Sequence, residues 1–371
     1  MTKLATMLAL CNLAVAGTIG TAQAQSRYIV TDLGVLPGTV SSTANGLNES
    51  GDVVGYCSPT SGDDSATGFV WHNGLMKSVG KLPKGSYSVA NAISGSGAVA
   101  GEGDTGDFRP QGWVNTGAGL VNFFSNNGGN TRVFSISDNG AIGGYYTKSL
   151  SGSVSSWRGA IWTPDPKDPR KYKSVDLPIL SGPNPASKST TALPFAFNPA
   201  GQAAGYAVNE VIGQHAAFWN NNAAHTIVDL GTLPGDSSSV ASGINDLGQV
   251  VGESHPSFSS RPVLWNSDAA HTASELPLLP GDNYGTAFAI NHSGQILGWS
   301  AYAVPGTWNI GPSRAILWSN GTAYDLQSLL DLSTGAGWSI VSISAINNRG
   351  QIVGGGFYNG QVHAILLTPI P

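Results

Sequence analysis

The sequence predicts an all-β fold, a seven-bladed β-propeller closed by pairing of the N-terminal strand with the C-terminal blade. Three observations predict it. A short glycine-framed motif occurs seven times in near-even register. Each copy lies in a stretch sized for four short strands. The last copy lacks a strand that the N-terminal residues can supply.

The motif is clearest as "NDLGQVVGE" at 245–253. It returns as "NESGDVVGY" at 48–56, "NPAGQAAGY" at 198–206, "NHSGQILGW" at 291–299 and "NNRGQIVGG" at 347–355. Its anchor is a Gly, three residues and a second Gly. The first glycines are Gly51, Gly97, Gly140, Gly201, Gly248, Gly294 and Gly350, spaced by 46, 43, 61, 47, 46 and 56 residues. An "AIN"-type run precedes the anchor and reads as strand A, and the "QVVGE" run is strand B. An "FVW" or "ILW" run, ending in Trp71, Trp113, Trp162, Trp219, Trp265, Trp318 or Leu367, is strand C. "IVDLG" is strand D. Four antiparallel strands in about 45–55 residues are the size of a propeller blade. No segment keeps a 3.6-residue period, which excludes a solenoid of helix pairs.

The turn glycine suits a tight A–B connection at positive φ. The second glycine is expected to let a neighbouring blade's backbone approach. The C-strand tryptophans are expected to fill the space between sheets. The final copy ends "HAILLTPIP", without a D strand, while "RYIVTDLG" near the start matches "HTIVDLG" at 225–231. The stretch Tyr28 to Gly34 should therefore pair with His363 to Thr368, removing two open sheet edges.

Composition agrees. Charged residues are 11% of the chain, against roughly 25% in an average soluble domain, and 50 of 371 residues are Gly. Such a chain favours strands joined by turns. A net charge of -5 argues against nucleic acid, for which a basic face is expected. Residues 1–24 have the layout of a secretory signal peptide, with Lys3, an apolar stretch and "AQA" before a cut after Ala24. The expected mature chain, 25–371, is a single domain of seven repeats, secreted or periplasmic, monomeric and without a membrane span. It keeps one cysteine, Cys57, so no disulfide can close the ring.

Strand direction sorts the connections. The B–C loops and D–A turns share one end, the A–B and C–D turns the other. The B–C loops are long and variable, as in "WSAYAVPGTWNIGPSR", so function is expected at their end. Directly after the second anchor glycine stand Tyr56, Glu102, Tyr145, Tyr206, Glu253 and Trp299. Aromatics at matching places around a ring suit stacking on a sugar, and these six residues are the candidate ligand contacts. The alternative is that they seal the sheets beneath the loops.

Catalytic signatures are missing: there is no G-x-S-x-G, no H-E-x-x-H and no cysteine cluster. Glu102, Asp104, Asp107 and Glu253 are the acids from which a glycosidase pair would come, but nothing selects two of them. Asp63, Asp64, Asp236 and Asp282 have calcium-type oxygens, though turn capping explains them as well. His215 and His363 share a repeat position and read as surface or edge residues. Lys167, Arg170, Lys171 and Lys173 lie in the Pro-rich "TPDPKDPRKYK", read as a solvated loop. No metal or cofactor is expected.

The pattern DLG-x-LPG, then A-x-x-IN-x-x-GQVVG, then HAFLW resembles the HAF family of extracellular repeat proteins, found in bacteria. "VDLGTLPGDSSSVASGINDLGQVVGE" at 228–253 is the nearest copy, with "HAAFW" at 215–219 and "HAILL" at 363–367. Repeats two and three depart most: "SGSGAVAGE" has no Asn, and "SDNGAIGGY" follows a D strand without LPG. The resemblance implies export and a repeated β fold, with no established activity and no catalytic residues. The functional expectation is binding of a glycan or another macromolecule through the long-loop face. The alternatives are a carboxylate-dependent glycoside hydrolase or lyase, and a structural or surface-assembly protein.

Overall fold

A computed structural model describes residues 27–59, 65–107, 109–117, 119–123, 130–149, 155–180, 191–209, 212–307 and 309–370. The expected signal peptide lies outside them. The described chain is all-β, with one short 3-10 turn at Leu326–Leu329 and no α-helix.

Strand β1 spans Tyr28–Asp32. Then come β2 Ser41–Leu47, β3 Val53–Ser58, β4 Thr67–His72 and β5 Leu75–Ser78. They are followed by β6 Ser88–Ile93, β7 Val99–Gly103, β8 Gln111–Asn115 and β9 Leu120–Asn122, and by β10 Thr131–Ile136, β11 Ile142–Ser149, β12 Ser155–Asp165 and β13 Asp168–Asp176. The next set is β14 Ala192–Phe197, β15 Ala203–Asn209, β16 Gly213–Trp219 and β17 Ile227–Gly231. After it come β18 Ser238–Ile244, β19 Val250–His255, β20 Arg261–Trp265 and β21 Ala273–Glu275. The chain continues with β22 Tyr284–Ile290, β23 Ile296–Ala301, β24 Arg314–Ser319 and β25 Thr322–Asp325, and ends with β26 Ser339–Ile346, β27 Ile352–Tyr358 and β28 Gln361–Pro369.

Consecutive strands pair antiparallel in four-stranded sheets. The sets β10–β13 and β14–β17 merge into one eight-stranded sheet through a single parallel pair, Arg158 with Ala192. The last sheet takes its fourth strand from the N-terminal side: β1 pairs antiparallel with β28, from Tyr28 opposite Pro369 to Asp32 opposite Ile365. First strands touch in succession: β2 with β6, β6 with β10, β10 with β14, β14 with β18, β18 with β22, β22 with β26, and β26 with β2.

The core lies between sheets. Phe69 and Val53 pack with Val353, Ala364 and Leu366, and Phe218 and Leu230 pack with Ala241, Val250 and Trp265. Trp113, Trp162, Trp219, Trp265 and Trp318 are at most 1% exposed. Each buries about 150–250 Å² at about 25 cal/mol per Å², on the order of 4–6 kcal/mol before ordering entropy.

The motif has a local mechanical cause. Gly248 closes the A–B turn at φ +77°, where a β-carbon is strained. Opposite the second glycine, strand A carries a bulge: Ala241 faces Gly252, while Gly243 faces Val251. The bulge pushes the Val240 carbonyl inward, so a β-carbon on Gly252 would lie 2.0 Å from its oxygen. The equivalent six glycines meet the same obstacle at 2.0–2.1 Å. This corrects the expected reason for the glycine: the approaching backbone belongs to its own sheet, because the extra strand-A residue crowds strand B.

The basic insertion also differs from expectation. Lys167 sits in a hairpin turn and its amide donates to Asp165 Oδ1 at 2.9 Å, and Arg170, Lys171 and Lys173 lie on β13. Asp168 pairs with Arg170 at 3.3 Å and Lys171 at 3.7 Å, and Asp165 pairs with Lys173 at 3.5 Å. The prolines are tolerated because this strand is the outer edge of its set.

Candidate functional site

The A–B turns carry a repeated polar device. The Asn245 Oδ1 accepts from the Leu247 and Gln249 amides at 3.1 and 2.9 Å, which shapes its own turn. Its Nδ2 donates to the Asn291 carbonyl of the next sheet at 3.0 Å. The relay continues from Asn291 to Asn347, from Asn347 to Asn48 across the chain ends, and from Asn48 to Ser94. Asn198 feeds it by donating to Asn245. The Asn of "AIN" is therefore a sheet-to-sheet bolt.

A second device joins "HAF" to "DLG". His215 on strand C faces Asp229 on strand D at 2.9 Å, and His363 faces Asp32, on β1, also at 2.9 Å. The same place holds Arg261 with Glu275 at 3.0 Å. Position-matched edge histidines thus tie strand D to strand C.

The six candidate contact residues occupy matching places on the second strands. Opposite them on strand A stand Thr43, Val89, Arg132, Leu193, Val240 and Thr286. All six are half-buried or buried. Glu102 is 8% exposed and donates its charge to an ion pair with Arg132 of the next sheet at 2.8 Å, while its Oε2 has no partner. Burial raises the Glu102 pKa against the pull of Arg132. Burial, reinforced by Glu102, pushes nearby Tyr87 up to about 12. Tyr145 and Tyr206 join one aromatic run: Trp157 to Tyr145 at 5.0 Å, Tyr145 to Phe134 at 5.4 Å, Phe134 to Phe195 at 5.6 Å and Phe195 to Tyr206 at 5.6 Å. The structure therefore brings Glu102, Tyr145 and Tyr206 together. Glu253 accepts from Ser260 at 2.8 Å, and Trp299 packs on the core beside β26.

The other acids are committed to turns. Asp104 is fully buried, which alone would raise its pKa, yet hydrogen bonds from the Tyr87 and Ser86 amides hold it below the ordinary value. Asp236 pairs with Arg261 at 2.7 Å and Asp282 with Arg314 at 2.8 Å, which accounts for both without a cation. Among the described residues no group of three His, Cys, Asp or Glu side chains is placed to hold a metal. Asp63 and Asp64 lie outside the described residues.

The long-loop end carries features that the repeat pattern did not disclose. Tyr302, Val304 and Ile310, in the loop between β23 and β24, are 52, 40 and 38% exposed, and Phe258 in the preceding B–C loop is 45% exposed. This loop is built. Ala303 bridges Ile310, the Gly311 amide donates to the Tyr302 carbonyl at 2.8 Å, and the Asn283 side chain clamps both the N–H and C=O of Ala303 at 2.7 and 3.0 Å. Ser259 donates to the Asn283 carbonyl at 3.3 Å, joining the Phe258 loop to the same post. Exposed Leu332, Val341 and Phe357 lie at this end too.

No family model matches the chain, and no curated protein matches it. Solved structures do. "YCF48 bound to D1 peptide" superposes with a TM-score of 0.51 at 13% identity, covering 94% of this chain and 96% of that one. A structure of two prolyl endopeptidases matches at TM-score 0.50 and 12% identity over 88% of this chain and 46% of that one. The β-propeller domain of the Trilobed protease from Pyrococcus furiosus matches at TM-score 0.49 and 10% identity, over 89% of this chain and 95% of that one. The likeness is one of fold: this is an all-β chain whose structural neighbours are β-propellers.

Proposed function

We propose that the protein is an exported seven-bladed β-propeller of the HAF repeat type, and that it binds a glycan or another macromolecule through its long-loop face. Support for the ring is the unbroken succession of first-strand contacts, with β26 meeting β2, and the pairing of β1 with β28. In this reading the merged sheet counts as two blades, joined in hydrogen-bonded register at one residue pair.

The observation that carries binding is the clamped loop. Tyr302, Val304 and Ile310 are large, apolar and exposed, yet Ala303 between them is held by Asn283 and bridges Ile310. Exposed apolar side chains on a held scaffold lose little entropy when a partner covers them. The acids argue against hydrolysis, since Glu102 and Glu253 stand on sheets that are not neighbours and Asp104 is spent on backbone amides. YCF48 was solved with a peptide, so an extended chain is one ligand form compatible with the fold, although fold alone selects none.

The test is a glycan array and a peptide library probed with residues 25–371, beside Tyr302→Ala and Phe258→Ala. Binding to one class should fall at least tenfold in the variants with the melting temperature unchanged. Equal binding by wild type and variants would sink the assignment to this face.

A further inference from the structure

The Asn relay is interrupted at two adjacent turns. Repeats two and three carry Ser94 and Ser137 where the others carry Asn. Both hydroxyls are used inside their own turns: Ser94 Oγ meets Ser96 Oγ at 2.8 Å and accepts from the Ala98 amide at 3.0 Å, and Ser137 Oγ donates to the Asn139 side chain and the Ala141 carbonyl. The carbonyls of Ser137 and Asn198 each accept one amide from their own turn, as their counterparts do. Among the described contacts neither receives the side-chain amide that Asn245, Asn291 and Asn347 receive.

A second stitch fails at the same junction. At three joints the residue following the Asn position accepts a backbone N–H from the preceding turn: Asp138 from Gly95, Asn348 from His292 and Glu49 from Asn348. The next such residue after Asp138 is Pro199, whose side chain has no acceptor.

A cavity of about 220 Å³ opens there, at the A–B turn ends of the sheets that begin with β2, β6, β10 and β14. Ile93, Ile136, Ile142 and Phe197 make its apolar wall, and Asp138 and Glu49 stand at its rim. A cavity of about 150 Å³ admits benzene, so this one takes a bicyclic ring with a short arm. The missing groups are donors, the carbonyls left are acceptors, and the rim is anionic. Those three facts select a cation that donates hydrogen bonds.

We propose that this gap is a binding site for a small aromatic ammonium, whose ring lies among Ile136, Ile142 and Phe197 and whose ammonium donates to the Ser137 and Asn198 carbonyls and faces Asp138. The site is at the end of the molecule opposite the long-loop face and is independent of it.

The experiment is calorimetric titration of residues 25–371 with tryptamine, indole-3-ethanol and indole-3-propionate. Tryptamine should bind, the neutral alcohol at least tenfold more weakly, and the carboxylate not measurably. Asp138→Asn keeps the Gly95 hydrogen bond and should reduce the tryptamine preference over the alcohol at least fivefold. Ser137→Asn restores the amide and fills the space, so tryptamine binding should vanish while the melting temperature holds or rises. Ser94→Asn serves the same purpose if the first variant does not fold. Tyr302→Ala should leave tryptamine affinity unchanged. Failure of tryptamine to bind, equal affinity for the carboxylate, or unchanged affinity in the Ser→Asn variants overturns the proposal.

Discussion

Replacing Asn245 tests the relay where it is complete. Asn245 is 4% exposed and makes four hydrogen bonds: two accepted by Oδ1 from Leu247 and Gln249, and two donated by Nδ2 to the Asn291 carbonyl and the Gln249 side chain. At about 1 kcal/mol net per bond the full loss is about 4 kcal/mol, and water entering the turn returns part, leaving about 2–4 kcal/mol for Asn245→Ala. Asn245→Ser should cost less. A hydroxyl there accepts a turn amide, as Ser94 does from Ala98, so chiefly the two amide bonds are lost, about 1–2 kcal/mol. For a chain of this length about 2 °C accompanies each kcal/mol, so melting temperatures should drop by about 4–8 °C and about 2–4 °C respectively. Differential scanning calorimetry reads both. A Ser variant that melts with wild type would mean that the inter-sheet amide contributes nothing, and the reasoning about the relay would be refuted.

Three further outcomes are expected. Gly298→Ala places a β-carbon 2.0 Å from the Thr286 carbonyl and 2.5 Å from the Trp318 ring, so it should reach or exceed the upper end of the about 1–3 kcal/mol cost of overpacking; a variant melting within 2 °C of wild type, at about 2 °C per kcal/mol, would contradict the bulge geometry. Removing residues 25–36 takes away buried Tyr28, Val30, Leu33 and Leu36, at about 1.5–3 kcal/mol each, comparable to a whole domain's stability; a retained cooperative transition would show that the strand is dispensable. Burial holds the Glu102 pKa above its ordinary 4.5, so the folded state binds that proton more tightly than the unfolded state. The wild-type contribution is therefore fullest below the unfolded pKa and is lost as pH rises through the folded one. Glu102→Gln has no such dependence, and its melting temperature relative to wild type should climb from about pH 4 upward. A difference that stays flat with pH would rule this out.

Strand order and turn chemistry were legible because they are local. An Asn, two residues and a Gly write the A–B turn directly, and Gly248 takes the positive φ that the motif announces. The second glycine was legible as a need for space but not as to what fills it, because a bulge leaves no mark on an apolar strand such as "VASGI". The pairing of His215 with Asp229 was present as the co-occurrence of "HAF" and "DLG", and reading each histidine alone hid it. The basic insertion read as a loop because its prolines obscured an edge strand whose partner, β12, supplies the hydrogen bonds. The loop that carries Tyr302 was legible as long and at the expected end, but its order was not, because that comes from the Asn283 clamp on Ala303.

The cavity differs in kind, since its signal was in the sequence as a departure. "SGSGAVAGE" lacks the Asn, and "SDNGAIGGY" replaces it with Ser137. In a repeated fold every copy of an inter-unit bolt has the same geometric work to do, so a missing bolt leaves either a loosened joint or a space that something else fills. Here the two departures are adjacent, Pro199 offers no acceptor at the same joint, and Ile93, Ile136, Ile142 and Phe197 give the space an apolar wall. A hollow with an apolar wall beside carbonyls that lack their second donor costs stability twice, through lost packing and lost hydrogen bonds. Simple decay of a repeat would predict that Ser137→Asn stabilises the protein and changes nothing else. Selection for a ligand predicts that the same change stabilises it and abolishes tryptamine binding, so the two readings part on one measurement.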